Sequence, residues 1–178
     1  MAGIVIADTG PLIAFASIDR LCVLKDLFGE LTITQSVRDE YNAKPGTDTL
    51  RIDAAVTDAW LRVVAFTAEL LSPSLGQGES DSIQLAMEWP RNSLLILDDR
   101  LARRYALRAE LNIVGSVRLL HIAQQRGLIP DAESCLREMA EIGYRKIYWI
   151  ESALRMMWIS MACLGSADER FVKNSTTG

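Results

Sequence analysis

The stretch Ile4-Val5-Ile6-Ala7-Asp8-Thr9-Gly10-Pro11, near the start of this 178-residue chain, decides the class of its fold. Its first four residues have the length and apolar character of a buried strand, and a carboxylate follows them directly. Gly10-Pro11 then turns the chain into a helix, because proline fits the first turn of a helix. A buried strand that leads straight into a helix indicates an α/β domain with a mostly parallel sheet.

The rest of the chain continues this alternation of short apolar runs and helical patterns. Further strands are predicted at residues 31–34, 60–66, 94–97 and 113–114, and the alternating run 60–66 is typical of an edge strand. Helices are predicted at 21–28, 36–41, 52–58, 79–89, 100–110 and 116–126. Two further helical patterns and a polar tail follow Pro130.

The composition is that of a globular protein, with 49% hydrophobic and 24% charged residues, and the length favours one domain. Cys22, Cys135 and Cys163 are widely spaced, which predicts neither a zinc site nor a disulfide framework. We expect no secretory signal, because the N-terminus has no basic region before an apolar stretch. Glu151 and Arg155 interrupt the late apolar segment, which disfavours a membrane span. These features predict a cytoplasmic protein without a membrane partner.

Six carboxylates fall at the boundaries of the predicted elements: Asp8, Glu40, Glu79, Asp81, Asp98 and Asp99. Asp8 and the pair Asp98-Asp99 directly follow buried strands, and ligands of open α/β sheets bind at the carboxyl ends of strands. Carboxylates that crowd together repel each other unless a hard cation lies among them. Mg²⁺ and Mn²⁺ prefer oxygen ligands, so the pattern is typical of a divalent-metal site.

Ordinary structural roles fit the same carboxylates. Acidic residues at a helix start stabilise its dipole, so Glu79, Asp81 and Asp99 could be helix caps. Asp8, which precedes Gly-Pro, could be a turn residue. A haloacid-type phosphatase fits poorly, because its second aspartate would stand where this chain has Gly10.

Five short stretches, in order, resemble the PIN-domain family, and within it the VapC-like prokaryotic branch. They are Ala7-Asp8-Thr9-Gly10-Pro11-Leu12-Ile13-Ala14, Val37-Arg38-Asp39-Glu40, Gly78-Glu79-Ser80-Asp81, Leu97-Asp98-Asp99-Arg100-Leu101-Ala102-Arg103 and Ile113-Val114-Gly115-Ser116. The resemblance implies a three-layer α/β/α domain over residues 1–145 with a central, mostly parallel sheet. A C-terminal helical extension and polar tail would then occupy residues 146–178. It also implies a Mg²⁺- or Mn²⁺-dependent ribonuclease, and many relatives are toxins of toxin–antitoxin pairs.

The resemblance also implies a role for individual residues. The family's four acidic catalytic positions match Asp8, Glu40, Asp81 and Asp99, and the additional acidic candidates of this subgroup are Glu79 and Asp98. Metal ligands are implied at Asp8, Glu79, Asp81 and Asp99. Thr9 would fill a hydroxyl position that contacts metal or phosphate, whereas Gly10 departs from the serine or threonine of many relatives.

A basic helix face supplies a candidate RNA-binding surface. At helical spacing, the side opposite Leu101 and Ala102 carries four arginines: Arg100, Arg103, Arg104 and Arg108. Guanidinium groups suit phosphate contacts, although a solvated helix face explains them equally well. The net charge of −4, from 19 basic and 23 acidic residues, does not exclude RNA. Without the six candidate carboxylates, 17 acidic side chains remain against 19 basic ones.

We therefore expect a metal-dependent endoribonuclease that is the toxin of a toxin–antitoxin pair. Its partners would be RNA, an antitoxin protein and a second copy of the chain in a homodimer. The alternatives are a catalytically silent PIN-like module that binds nucleic acid or protein, and an acid-cluster phosphatase. The sole histidine, His121, is expected to be a surface or half-buried residue of the 116–126 helix. The aromatic and methionine residues between Tyr144 and Met161 are expected to pack within the chain or against a partner.

Overall fold

A computed structural model describes residues 3–90 and 92–144, which form five strands and eight helices. In chain order these are β1 (Ile4–Ala7), α1 (Thr9–Ser17), α2 (Cys22–Phe28), β2 (Leu31–Thr34), α3 (Gln35–Asn42), α4 (Thr47–Thr57), β3 (Leu61–Val64), α5 (Gln77–Met87), β4 (Ser93–Ile96), α6 (Arg100–Arg108), β5 (Asn112–Val114), α7 (Ser116–Gln125) and α8 (Ala132–Glu141). The predicted order of strands and helices is confirmed. The predicted extension over residues 146–178 lies outside the described residues.

The ends of two helices illustrate how local chemistry sets the element boundaries. α2 ends at Phe28, where Gly29 has a φ of 76°, a backbone region that glycine enters without steric cost. α4 begins at Thr47, earlier than the predicted start at residue 52. There the Thr49 hydroxyl accepts a hydrogen bond of 3.2 Å from the N–H of Gly46, which satisfies a donor at the helix start.

The five strands form one sheet in the order β3-β2-β1-β4-β5, and every neighbouring pair is parallel. β3 lies at an edge of the sheet, as predicted. β1 is the central strand and pairs with β4, with Ala7 opposite Ile96. The chain therefore leaves both strands at the same edge of the sheet, and the residues that follow each strand lie near one another.

Helices cover both faces of this sheet, because successive side chains of each strand point to opposite sides. Val5 and Ala7 of β1 pack in a larger core with helices α1, α2, α3, α4, α7 and α8. Ile6 packs on the other face in a smaller core with α5 and α6. The expected three-layer α/β/α architecture is confirmed. Within the described ranges, no helix is both long and apolar enough to cross a membrane.

Candidate functional site

Asp8 lies at the carboxyl end of the central strand and is 2% exposed. Its backbone N–H donates to the carbonyl oxygen of Ile96 at 3.1 Å, which continues the pairing of β1 with β4 beyond the end of β1. The extended backbone of Asp8 forms the N-cap of α1. Strand pairing and the start of α1 thus fix this carboxylate at the middle of the sheet edge.

Glu40 lies on α3, which directly follows β2, the neighbour of β1 in the sheet. Its side chain reaches the same edge of the sheet as Asp8. Its Oε2 accepts a hydrogen bond of 2.6 Å from the Thr9 hydroxyl, next to Asp8 in the chain. Its Oε1 accepts a hydrogen bond of 2.8 Å from the N–H of Gly78, in the first turn of α5. Glu40 is solvent-exposed, so these two bonds, rather than burial, hold its carboxylate between the starts of α1 and α5.

Gly78 allows α5 to approach Glu40 closely. A Cβ atom added at residue 78 would lie 2.7–2.8 Å from the carboxyl atoms of Glu40. At residue 76 the corresponding distance to Glu40 Oε1 is 3.3 Å. Glycine at position 78 is therefore needed for the observed contact between the Gly78 N–H and Glu40.

Asp98 follows β4 and is 5% exposed. Its Oδ1 accepts a hydrogen bond of 2.8 Å from the N–H of Ser116. Its Oδ2 accepts bonds from the Ser116 hydroxyl at 2.5 Å and from the Tyr144 hydroxyl at 2.7 Å. These three donors compensate for removing the carboxylate from water. We call Asp8, Glu40 and Asp98 together the acidic edge.

The negative charge of Asp98 affects the pKa values of two neighbouring side chains, Arg103 and Tyr144. Burial lowers the pKa of Arg103, and the negative charge of Asp98 opposes that shift. Burial raises the pKa of Tyr144, and the charges of Asp98 and then Asp8 raise it further. The Tyr144 hydroxyl therefore stays protonated and lies within electrostatic reach of both aspartates.

Gly115 permits the close packing of this region. A Cβ atom added at Gly115 would lie 2.9 Å from Arg103 Nη1 and 3.0 Å from Asp98 Oδ1. Arg103 Nη1 donates at 2.8 Å to the carbonyl oxygen of Leu97. The arginine is half-buried, so it supports the chain at the end of β4 instead of pointing only to solvent, as the predicted basic face implied.

Asp81 is fully buried, and protein donors occupy both of its oxygens. Oδ1 accepts 2.9 Å and 2.8 Å bonds from the Ala68 N–H and the Gln77 side-chain amide, and Oδ2 accepts a bond from the Ser36 hydroxyl. The carboxylate thereby joins α5 to the start of α3 and to the loop after β3. Its predicted role as a catalytic residue and metal ligand stays a prediction.

Glu79 and Asp99 have the capping roles that the sequence left open. Glu79 Oε2 accepts a 3.0 Å bond from the N–H of Gly76 at the start of α5. Asp99 is the N-cap of α6, and its Oδ1 accepts from the N–H groups of Leu101 and Ala102 at 2.8 and 3.0 Å. These bonds satisfy helix-start donors. The assignment of Glu79 and Asp99 as metal ligands stays a prediction.

The described part of the chain contains no group of three Asp, Glu, His or Cys side chains that could hold a metal ion. The ligand set implied by the resemblance, Asp8, Glu79, Asp81 and Asp99, stays a prediction. The acidic edge nevertheless offers carboxylate oxygens, which Mg²⁺ and Mn²⁺ prefer. Mg²⁺ commonly takes one or two protein carboxylates and keeps several waters. Asp8 and Asp98, at the ends of paired strands, fit that smaller requirement.

Three of the four predicted RNA-binding arginines, Arg100, Arg104 and Arg108, are exposed on α6. Because α6 begins directly after Asp98-Asp99, its N-terminal arginines lie close in the chain to the acidic edge. His121 is half-buried, as expected, and its Nδ1 lies 2.8 Å from the carbonyl oxygen of Val117. This contact within α7 indicates a structural role.

A family model described as a PIN domain, DUF3368, matches residues 4–155 of the chain. The chain belongs to the PIN-domain family. PIN domains are generally nucleases and typically use divalent metals, so membership supports a nuclease function for this PIN domain. No curated protein matches it significantly.

One solved structure with a similar chain is a PilT N-terminus domain protein from the hyperthermophilic archaeon Sulfolobus solfataricus P2. The two proteins share 19% identity with a TM-score of 0.40, over 67% of this chain and 92% of the other. The family assignment of this PIN domain rests on the family model.

Sequence reasoning missed two side chains that donate hydrogen bonds to the acidic edge, those of Ser116 and Tyr144. Ser116 belongs to the stretch 113–116, for which the sequence predicted no functional role. A serine at a helix start directly after a strand is nevertheless a common capping signal. Tyr144 gave no signal, because 46 residues separate it from Asp98. Only the packing of α8 against α7 and α1 brings it there.

Proposed function

We propose that this PIN domain is a Mg²⁺- or Mn²⁺-dependent endoribonuclease that hydrolyses RNA phosphodiester bonds. The observation that carries the proposal is the pair of buried carboxylates, Asp8 and Asp98, at the ends of two paired strands. Buried negative charges are stabilised by hydrogen-bond donors or by a cation that compensates for them. The nuclease character of the family supports the same conclusion.

Asp8 and Asp98 would hold the divalent cation in this proposal. A bound divalent cation lowers the pKa of coordinated water and neutralises charge that develops on phosphate oxygens. Glu40 is exposed and fixed by Thr9 and Gly78, so its carboxylate can orient the attacking water. Neither a serine nor a cysteine nucleophile is needed for such hydrolysis.

The exposed arginines of α6 support RNA as the substrate. Guanidinium groups bind phosphate oxygens in bidentate geometry, and their placement after Asp98 would guide a polyanionic chain to the acidic edge. The fully buried Asp81 lies away from solvent, so we assign it to holding α5 against α3 rather than to contact with RNA.

We further propose that the protein is the toxin of a toxin–antitoxin pair in the VapC-like branch. The support is the resemblance of its five motifs, which also suggests a cytoplasmic homodimer with an antitoxin protein as partner. Induced expression of the full chain should arrest bacterial growth, and Asp8→Asn should relieve the arrest. Equal arrest by both proteins at matched expression would contradict a nuclease toxin.

The enzymatic proposal is tested by incubating the purified chain with structured RNA in Mg²⁺, Mn²⁺ or EDTA. We expect cleavage with either metal and loss of cleavage in EDTA or with Asp8→Asn. Asp26→Asn, at an exposed aspartate on α2, is the matched control and should cleave like the wild type. Cleavage that persists in EDTA and in Asp8→Asn would overturn the assignment.

The three protein donors that satisfy Asp98 without a cation favour a second candidate, a catalytically silent module that binds nucleic acid or protein. This alternative predicts RNA binding without cleavage in any metal. Turnover of a small phosphate ester such as p-nitrophenyl phosphate, without RNA cleavage, would instead indicate the acid-cluster phosphatase.

A further inference from the structure

Tyr144 is the last described residue of the chain, and its hydroxyl lies on the acidic edge. It follows Gly143, whose φ of 89° turns the backbone after α8, and its N–H donates to the carbonyl oxygen of Met139 at 3.0 Å. This turn directs the ring back to Asp98, where the hydroxyl donates at 2.7 Å. The residue lies outside every motif that carries the family resemblance.

The contact adds a second point of attachment for the Asp98 carboxylate. Ser116 donates to both oxygens of Asp98 from one side, through its N–H and its hydroxyl. Tyr144 supplies the second donor to Oδ2. A carboxylate that accepts from two independent chain segments has little rotational freedom, because any rotation lengthens at least one of the bonds.

Tyr144 also lies near Asp8, the other carboxylate of the proposed cation pair. Asp8 and Asp98 follow paired strands in which Ala7 lies opposite Ile96, so the Tyr144 hydroxyl, bonded to Asp98, lies at the same edge of the sheet as Asp8. The hydroxyl therefore lies where it can set the orientation of one carboxylate relative to the other. Removal of a group that hydrogen-bonds to a metal-binding carboxylate typically lowers metal affinity or activity 10- to 100-fold.

We propose that Tyr144 is a positioning residue for the divalent cation, since it holds the Asp98 carboxylate in the orientation that binds the cation together with Asp8. The inference rests on the cation site of the proposed function. Tyr144 does not contact substrate in this role. It acts only through Asp98, so its removal should weaken cation binding without removing a ligand.

The test is a Mn²⁺ titration of the full chain, in which electron paramagnetic resonance measures free Mn²⁺. We expect Tyr144→Phe to weaken Mn²⁺ binding by about tenfold or more. Tyr41→Phe is the matched control, because it also removes a buried tyrosine–aspartate hydrogen bond, that of Tyr41 with Asp53 at 3.0 Å. It should bind Mn²⁺ like the wild type. Equal affinity of Tyr144→Phe and wild type, or no Mn²⁺ binding by the wild type, would overturn the inference.

A second measurement uses the wild-type chain and does not depend on the folding of Tyr144→Phe. With ¹³C-labelled tyrosine, substoichiometric Mn²⁺ should broaden the Tyr144 resonance before that of Tyr105 on α6. Phenylalanine variants of Tyr41, Tyr105 and Tyr148 assign the signals by elimination. Broadening of Tyr105 first would also overturn the inference.

The two proposals fail in different ways. If the wild type cleaves RNA with Mn²⁺ but Tyr144→Phe binds the ion equally well, the endoribonuclease stands and the positioning role is wrong. If Tyr144→Phe weakens Mn²⁺ binding while the wild type cleaves no RNA, Tyr144 positions a cation site that serves another reaction.

Discussion

The Thr9 hydroxyl donates a 2.6 Å hydrogen bond to Glu40 across 31 residues of the chain. Thr9 follows Asp8 directly, so this bond connects Glu40 on α3 to the residue beside the buried aspartate. The N–H of Gly78 holds the other Glu40 oxygen. An exposed glutamate thereby has a fixed position, which a long, flexible side chain would otherwise lack.

Replacing Thr9 should show how much this fixed position contributes. Thr9→Val keeps the shape of the side chain but removes the hydroxyl donor, so we expect RNA cleavage to fall about tenfold. Thr9→Ser keeps the donor and should retain most of the activity. Initial cleavage rates of both variants at saturating Mn²⁺ provide the measurement, and equal rates would show that the bond is dispensable.

Gly78→Ala should displace Glu40, because the added Cβ would lie 2.7–2.8 Å from its carboxyl atoms. We expect the cleavage rate to fall by about tenfold or more, since small displacements of positioning groups are costly. Gly76→Ala places its Cβ at 3.3 Å from Glu40 and should lose less activity. A larger loss in Gly76→Ala than in Gly78→Ala would contradict the geometric explanation.

Asp98 and Asp99 should respond differently to substitution. Asp98→Asn removes a charge from the acidic edge and should abolish cleavage. Asp99→Ala removes the N-cap of α6 and should lower the free energy of unfolding by about 1 kcal/mol, with cleavage largely retained. Chemical denaturation and RNA cleavage, measured on both variants, separate the two roles. A folded Asp99→Ala variant that is as inactive as Asp8→Asn would support the ligand assignment made from the sequence.

The α6 arginines should affect RNA binding more than turnover. Arg104→Gln is expected to raise KM and to decrease the salt dependence of RNA binding by about one unit in the slope of log K against log salt. Arg62→Gln removes an arginine from β3 that pairs with Glu30 at 2.8 Å, and it should change neither quantity. A lowered kcat at unchanged KM in Arg104→Gln would place this arginine in the chemical step instead.

The raised pKa of Tyr41 predicts that the protein loses stability at alkaline pH. Burial, together with its hydrogen bond to Asp53, raises the pKa of Tyr41 from 10.0 to about 12. The folded protein therefore keeps this proton more tightly than the unfolded chain. The resulting stabilisation, on the order of 2–3 kcal/mol, is fully present below pH 10.0 and disappears as the pH rises through about 12. Urea unfolding of wild type and Tyr41→Phe should converge over this range, whereas a constant difference would exclude the coupling.

Much of the fold followed from local patterns in the sequence. The run Ile4–Ala7 is buried on both faces of a parallel sheet, and such strands have continuous apolar sequences that are easily recognised. Gly29 marked a helix end because few other residues adopt its backbone conformation at low cost. The start of α4 was less predictable, since its first turn is polar and depends on the bond between Gly46 and Thr49.

The candidate site could be predicted only in part. Asp8, Asp98 and Asp99 were identified because they directly follow strands, where parallel topology brings ligand groups together. The sequence could not distinguish Asp98, buried beside Ser116, from Asp99, which caps α6. These adjacent residues have the same chemistry, and only the backbone at the end of β4 directs one inward.

The sequence by itself determined which residue types are present and roughly where each strand lies, because hydrophobic period, turn residues and strand-end carboxylates are local properties. Tertiary structure alone decided which carboxylates meet. The bond from Thr9 to Glu40 joins residues that are 31 positions apart in the chain. The bond from Tyr144 to Asp98 spans 46 positions. Such contacts depend on how the helices pack on the sheet, and packing is a property of the whole chain that no local pattern records.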